Sequence, residues 1–138
     1  MRVLLFCLVL IVFGPLDVFA QDARNVPDAG GKFIDVDGIE LYVVEQGDPS
    51  GPAVLLIHGF GGSVVSWRFV IPALAEAGYR VVAFDRPPYG LADKRTEIAW
   101  DAETYNRLTA GLMDALGIER AVLVGHSGGG GLIANMWA

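Results

Sequence analysis

The sequence predicts an α/β fold: a mostly parallel, doubly wound sheet preceded by a β-hairpin. Three observations predict it. Ile34 and Val36, then Asp37-Gly38, then Ile39, Leu41 and Val43 alternate with period two around a D-G turn, which reads as a hairpin. After it, continuous apolar runs alternate with helix-like segments, as expected of parallel strands covered on both faces. Finally, Ala121 to Gly131 reads as a buried strand, a glycine-rich turn and the start of a helix.

Taken in order, the chain starts with a targeting segment. Arg2 is a short basic region, Val3 to Phe13 is an apolar run, and Gly14 and Pro15 break it. Val18-Phe19-Ala20 ends with a small residue suited to cleavage before Gln21. The run is shorter than the roughly 20 residues a bilayer span needs. Residues 1–20 are therefore expected to be a cleaved signal peptide, with an uncleaved anchor as the alternative, although that would bury Asp17. Cys7 lies inside the apolar run and is not read as a lipidation site. The expected location is exported, periplasmic or secreted, with membrane contact only through an uncleaved residue 3–20 segment.

Residues 21–31 are polar and glycine-ended, a linker, and residues 32–138 form the folded part. Beyond the hairpin, Gly47 to Pro52 is a loop, and Ala53 to Ile57 a buried strand ending in His58-Gly59-Phe60-Gly61-Gly62. Trp67 to Ala77 is predicted helical with Gly78 as its stop. Pro72 fits only near a helix start or a kink, so a helix beginning at Pro72 is the alternative. Arg80 to Phe84 is the next strand, followed by Asp85-Arg86-Pro87-Pro88-Tyr89-Gly90 and an irregular polar stretch, Leu91 to Ile98. Asp101 to Leu116 is a helix with Tyr105, Leu108, Leu112 and Leu116 on one face, and Gly117 ends it. Ligands in such sheets bind at the carboxyl ends of the strands, and the loops at His58, Asp85 and Ser127 all lie there.

Gly125-His126-Ser127-Gly128-Gly129 fits G-x-S-x-G, the nucleophile elbow. The expectation is that Gly125 and Gly129 remove side chains that would clash with the serine on a strained strand-to-helix turn. The Gly128 N–H then lies in the first turn of the helix, where an oxyanion would form. A rival pattern overlaps it. Gly129-Gly130-Gly131-Leu132-Ile133-Ala134 fits a dinucleotide fingerprint, but two strand-like runs and a helix precede it, whereas that fingerprint belongs to a first βα unit. A P-loop fails because no lysine follows the glycines.

The net charge of −6, without a basic patch, argues against nucleic acid as a partner. The single cysteine falls in the leader, so no disulfide framework is expected, and no Cys/His cluster suggests zinc. No metal and no cofactor are expected.

Three motifs stand in order at the ends of successive strands: His58-Gly59-Phe60-Gly61-Gly62, Asp85-Arg86-Pro87-Pro88-Tyr89-Gly90, and Gly125-His126-Ser127-Gly128-Gly129. Together they resemble the α/β-hydrolase fold superfamily, in its esterase-like branch, from about Lys32 to the end. The resemblance implies Ser127 as nucleophile, the Gly128 and Phe60 N–H groups as oxyanion hole, and a small ester or similar acyl substrate attacked through an acyl-enzyme. An aspartate at the elbow would imply a haloalkane dehalogenase or epoxide hydrolase, and Ser127 argues against both. The same fold also hosts cofactor-free haloperoxidase-like and carbon–carbon bond hydrolase chemistry, which these motifs do not separate.

Triad members in this fold run Ser, then Asp or Glu, then His. The residues after Ser127, Gly128 to Ala138, include none of these. His126 is read as structural, a neighbour in the turn pointing away from the hydroxyl. His58, with Gly59, is read as structural support for the oxyanion loop. Asp85 is read as capping its loop with Arg86, Asp101 and Glu103 as first-turn helix residues, and Asp114 as solvated. Ser63 and Ser66 are read as loop and helix-start residues, Met113 and Trp100 as core or rim. The expectation is a fragment of a longer enzyme, holding the nucleophile half of an active site and inactive alone. An inactive natural short product is the alternative.

Overall fold

In the computed structural model, residues 30–137 are described. The proposed signal peptide and most of the 21–31 linker lie outside them. Five strands and three helices follow in order: β1 (Lys32–Val36), β2 (Ile39–Gly47), β3 (Ala53–Ile57), α1 (Val70–Glu76), β4 (Arg80–Phe84), α2 (Ala102–Ala115), β5 (Ala121–Gly125) and α3 (Gly128–Trp137). The hairpin, each strand and the order of helices match the sequence reading.

The hairpin turn is made by Asp37 and Gly38, with φ of 53° and 77°. Two consecutive left-handed residues suit the right-handed twist of the flanking strands, which is why D-G is favoured there. Asp35 also accepts a hydrogen bond from the Gly38 N–H at 3.0 Å.

The strands lie in the order β1-β2-β4-β3-β5. β1–β2 and β2–β4 are antiparallel, while β3 runs parallel to both β4 and β5. The sheet is therefore mixed, with its parallel half carrying the candidate site. α1 links β3 to β4 on one side, and α2 carries the chain back past β3 to β5. Ile57 is in register with Phe84 on one side and Gly125 on the other. The residues that follow each strand thus emerge at the same edge, and this is what brings three loops distant in sequence together.

Period two explains the core. In β3, Leu55 and Ile57 face one layer with Leu108, Leu112 and Ile133 from α2 and α3, while Val54 and Leu56 face the other with Ile71 of α1. In β4, Val82 and Phe84 join the first layer, Val81 and Ala83 the second. Burying an aliphatic side chain of this size contributes about 1.5–3 kcal/mol. Both faces of β3 and β4 do so, which is why these strands read as unbroken apolar runs.

The first helix departs from expectation. Val64–Trp67 forms a separate 3-10 turn, capped by the Ser63 hydroxyl, which accepts from the Val65 N–H at 3.3 Å. α1 itself starts at Val70, so Pro72 sits in its first turn, where a missing N–H costs nothing. The longer helix is bounded as predicted. Asp101 is its N-cap, accepting from the Thr104 N–H at 2.9 Å, and Leu116 is its C-cap. Trp100 and Met113 pack against the core as partly buried residues, and Asp114 is exposed.

Candidate functional site

Ser127 stands at the junction of β5 and α3 with φ of 51°. A left-handed non-glycine residue is strained, and here the fold holds it from both sides. The His126 N–H donates to the Ile57 carbonyl at 3.1 Å, tying the turn to β3. The Gly129 N–H donates to the His126 carbonyl at 2.9 Å, and the Gly130 N–H to the Ser127 carbonyl at 3.0 Å, which closes the first turn of α3.

The glycines are needed, and the nearest atoms a side chain would meet belong to the backbone of the turn and of β3. A Cβ on Gly125 would meet the Gly129 carbonyl carbon and the Gly130 nitrogen at 2.5 Å. A Cβ on Gly129 would stand 2.1 Å from the Ile57 carbonyl oxygen. In neither case is Ser127 among the three nearest atoms. The two glycines let the first turn of α3 lie directly against its own strand and against β3. Gly59 is the glycine that faces the serine, since a Cβ there would lie 3.0 Å from the Ser127 Cβ.

The His58-Gly59-Phe60-Gly61-Gly62 loop is a tight turn. The Gly62 N–H donates to the Gly59 carbonyl at 3.2 Å, and Gly61 has φ of 67°, a position for which glycine is suited. His58 is fully buried. Its Nδ1 lies 2.8 Å from the Gly59 carbonyl oxygen, and its Nε2 accepts from the Arg86 N–H at 2.8 Å. A carbonyl only accepts, so the proton sits on Nδ1 and the ring is neutral. Burial pushes the His58 pKa down to about 4; the Gly59 bond opposes this and the Arg86 charge adds to it.

Asp85 is also buried. Its carboxylate accepts from the Val64 N–H at 2.6 Å and the Leu91 N–H at 2.7 Å. It therefore fastens two loops rather than pairing with Arg86 as the sequence suggested. Burial raises its pKa, outweighing the two amides and Lys94. Gly90 is required here, because a Cβ would overlap the carboxylate oxygen, 2.0 Å away.

The Phe60 and Gly128 N–H groups meet no acceptor among the described residues. They lie close together, since a Cβ on Gly128 would stand 3.6 Å from the Phe60 nitrogen. The Phe60 ring is 85% exposed and rests edge-on against Tyr89, with centroids 5.3 Å apart. Ser127 and His126 are exposed. The His126 ring makes no hydrogen bond to Ser127 among the described residues.

Sequence reasoning gave Arg86 no place near the serine. Its guanidinium is buried, lies over the Tyr105 and Tyr89 rings at 4.9 and 5.6 Å, and comes within 3.8 Å of where a Gly128 Cβ would be. Burial lowers its pKa, with Tyr105 and Tyr89 opposing. The signal in the sequence was a lone cation directly after a buried strand, between an acid and two prolines. No cluster of His, Cys, Asp or Glu able to hold a metal occurs among the described residues. No helix among them is long and apolar enough to cross a membrane.

A family model described as "alpha/beta hydrolase fold" matches residues 52–138. Epoxide hydrolase A of Mycobacterium tuberculosis is 46% identical over 107 residues, which cover 75% of this chain and 33% of that protein. The crystal structure of epoxide hydrolase A from Mycobacterium thermoresistibile superposes with a TM-score of 0.73 at 36% identity, over 77% of this chain and 34% of that one. A crystal structure of a membrane phospholipase A, titled a novel bacterial virulence factor, gives 0.72 at 37% identity, over 78% and 35%. The chain thus spans about a third of the length of the curated relative.

Proposed function

The chain belongs to the alpha/beta hydrolase fold family, and from that membership we propose that its protein is a serine hydrolase of esters or similar acyl bonds. The observation that carries the reading is the strained, exposed Ser127 beside two N–H groups, of Phe60 and Gly128, that lack protein acceptors. Ser127 attacks the acyl carbon, and the former carbonyl oxygen takes the negative charge. The two amides receive it. Losing one such donor typically costs about 2.7–4 kcal/mol of transition-state stabilisation.

His58 and Asp85 serve the site indirectly in this reading. Each has its polar atoms committed to backbone groups, so each fixes a loop rather than moving a proton. A serine needs a general base. The matched segment covers only 33% of the curated relative, which supports placing the base and its acid partner in further sequence of the same protein. Residues 1–20 would direct export, which puts the substrate outside the cytoplasm.

The names of the epoxide hydrolase relatives suggest a second reading, and the serine at position 127 argues against it. Opening an epoxide with a serine oxygen leaves an ether, which water does not readily cleave, whereas a carboxylate would leave a hydrolysable ester. One of the structural relatives is titled a membrane phospholipase A, a name that fits ester chemistry. The test is pre-steady-state hydrolysis of p-nitrophenyl esters by the full-length enzyme. A burst of nitrophenolate, lost in Ser127→Ala with kcat down by roughly 10⁶-fold, supports the acyl-enzyme. Diol formation from epoxides with no ester turnover would overturn it.

A further inference from the structure

Arg86 has no role in the chemistry described so far, yet its placement is unusual. It is 5% exposed, and its Nε is a buried donor with no hydrogen-bond partner. None of the ion pairs among the described residues includes it. Asp85, the adjacent acid, spends both oxygens on the Val64 and Leu91 amides. A buried arginine is ordinarily paired, because an unpaired buried charge is costly. Two tyrosine rings supply only part of that compensation.

What the guanidinium faces is the amino-terminus of α3. Its Nη2 lies 3.8 Å from the Cβ position of Gly128, and the Phe60 nitrogen lies 3.6 Å from the same point. A helix amino-terminus carries partial positive charge. Three positive features, the guanidinium, the helix end and the Phe60 nitrogen, therefore lie around one point, and no carboxylate oxygen comes within 4 Å of it. Such an arrangement is favourable when an anionic oxygen is present.

We infer that Arg86 is the cationic member of an anion pocket shared with the amino-terminus of α3 and the Phe60 N–H, whose ligand is a tetrahedral oxyanion. The part played in catalysis rests on the serine-hydrolase reading, but binding of an inorganic oxyanion does not. Arg86 acts as a positioning residue. It stands behind the amides and biases the pocket toward the charged tetrahedral state over the neutral ester. The Tyr89 and Tyr105 rings hold the guanidinium plane in place.

The test uses the full-length protein with Arg86→Met, Arg86→Gln and Arg86→Lys, and inorganic phosphate as the probe. Thermal unfolding is followed in phosphate against sodium chloride of equal ionic strength. The expected result is a phosphate-specific rise in Tm of about 2–4 °C at saturating phosphate in the wild type. It is absent in the Met and Gln variants and partly kept in the Lys variant. An equal phosphate increment in all four proteins overturns the pocket. So does a large Tm loss in the Met and Gln variants with no phosphate effect in the wild type, which would mean that Arg86 is paired within the protein. If the Met variant does not fold, the Gln and Lys variants decide.

The second readout is the rate of labelling by a fluorophosphonate, whose phosphonyl oxygen becomes anionic as the serine attacks. It is expected to fall about 10- to 100-fold in the Gln variant, less than or equal to the loss of a direct donor, and to recover in the Lys variant. Loss in Lys and Gln alike indicates a packing role and overturns the electrostatic one. The two readings fail separately. Phosphate dependence on Arg86 without labelling keeps the pocket and sinks the serine nucleophile, while labelling indifferent to Arg86 does the reverse.

Discussion

His58 has both ring nitrogens in hydrogen bonds to backbone groups of two different loops, and burial holds it neutral with a pKa near 4. An unfolded histidine titrates near 6.5. Between those values the unfolded state binds more protons than the folded one, so stability falls as the pH drops. The His58 contribution is complete above about pH 6.5 and is lost progressively toward pH 4. Urea unfolding at pH 7.5 and pH 4.5 should show a difference larger by about 2.5 kcal/mol in the wild type than in His58→Asn. Asp85, whose pKa burial raises, acts with the opposite sign at the lower end, and comparing the two proteins cancels it. Equal pH slopes would show that His58 does not titrate as buried. The bond of His58 to the Gly59 carbonyl joins neighbours in sequence, so a bracing place in the loop after β3 was legible from its position. Its second bond, to the Arg86 N–H, was not, because it depends on the β3–β4 register and not on neighbours in sequence.

The β5–α3 turn is an element defined by close approach. Its four glycines look alike in the sequence and differ in the fold. A Cβ on Gly129 would be 2.1 Å from the Ile57 carbonyl oxygen, whereas one on Gly131 meets nothing within 4 Å. Gly129→Ala forces backbone apart and is expected to destabilise by about 2–4 kcal/mol, judged from typical overpacking costs. Gly131→Ala is expected to stabilise by about 0.5–1 kcal/mol through helix propensity alone. Denaturant midpoints of the two variants check this, and similar shifts in both would refute the assignment of contacts. The spacing of G-x-S-x-G revealed the turn but attributed its glycines to clearing the serine. The nearest clashes they avoid are with β3 and with the turn itself, and the one with β3 is a tertiary fact. For the same reason the sequence placed one helix over Trp67 to Ala77. The backbone instead breaks between Trp67 and Val70, after the Ser63-capped turn that Asp85 holds through the Val64 N–H.

At the scale of the molecule, the alternation of apolar strands and helices was enough to give the parallel half of the sheet and the edge where the loops gather. The strand order was not legible, since nothing local states that β4 pairs with β2 on one side and β3 on the other. The order leaves β5 with β3 as its one neighbour among the described strands, and Val122 on it is 37% exposed. An apolar strand with an unpaired edge invites pairing with another chain. Residues 30–138 produced alone are therefore expected to associate in a concentration-dependent way, and Val122→Lys to raise the monomer fraction severalfold on size-exclusion chromatography. A monomeric wild-type segment, or no response to the lysine, would contradict this. Arg86 joins the scales: a single residue, placed by the end of β4, that faces the amino-terminus of α3 only because β3 lies between β4 and β5.

Ser127 as nucleophile is decided by peptide mass mapping after fluorophosphonate treatment of the full-length protein. The predicted result is one phosphonyl adduct, on the peptide carrying Gly125-His126-Ser127-Gly128-Gly129, absent from Ser127→Ala. An adduct on another residue, or equal labelling of the Ser127→Ala protein, would rule Ser127 out as the nucleophile.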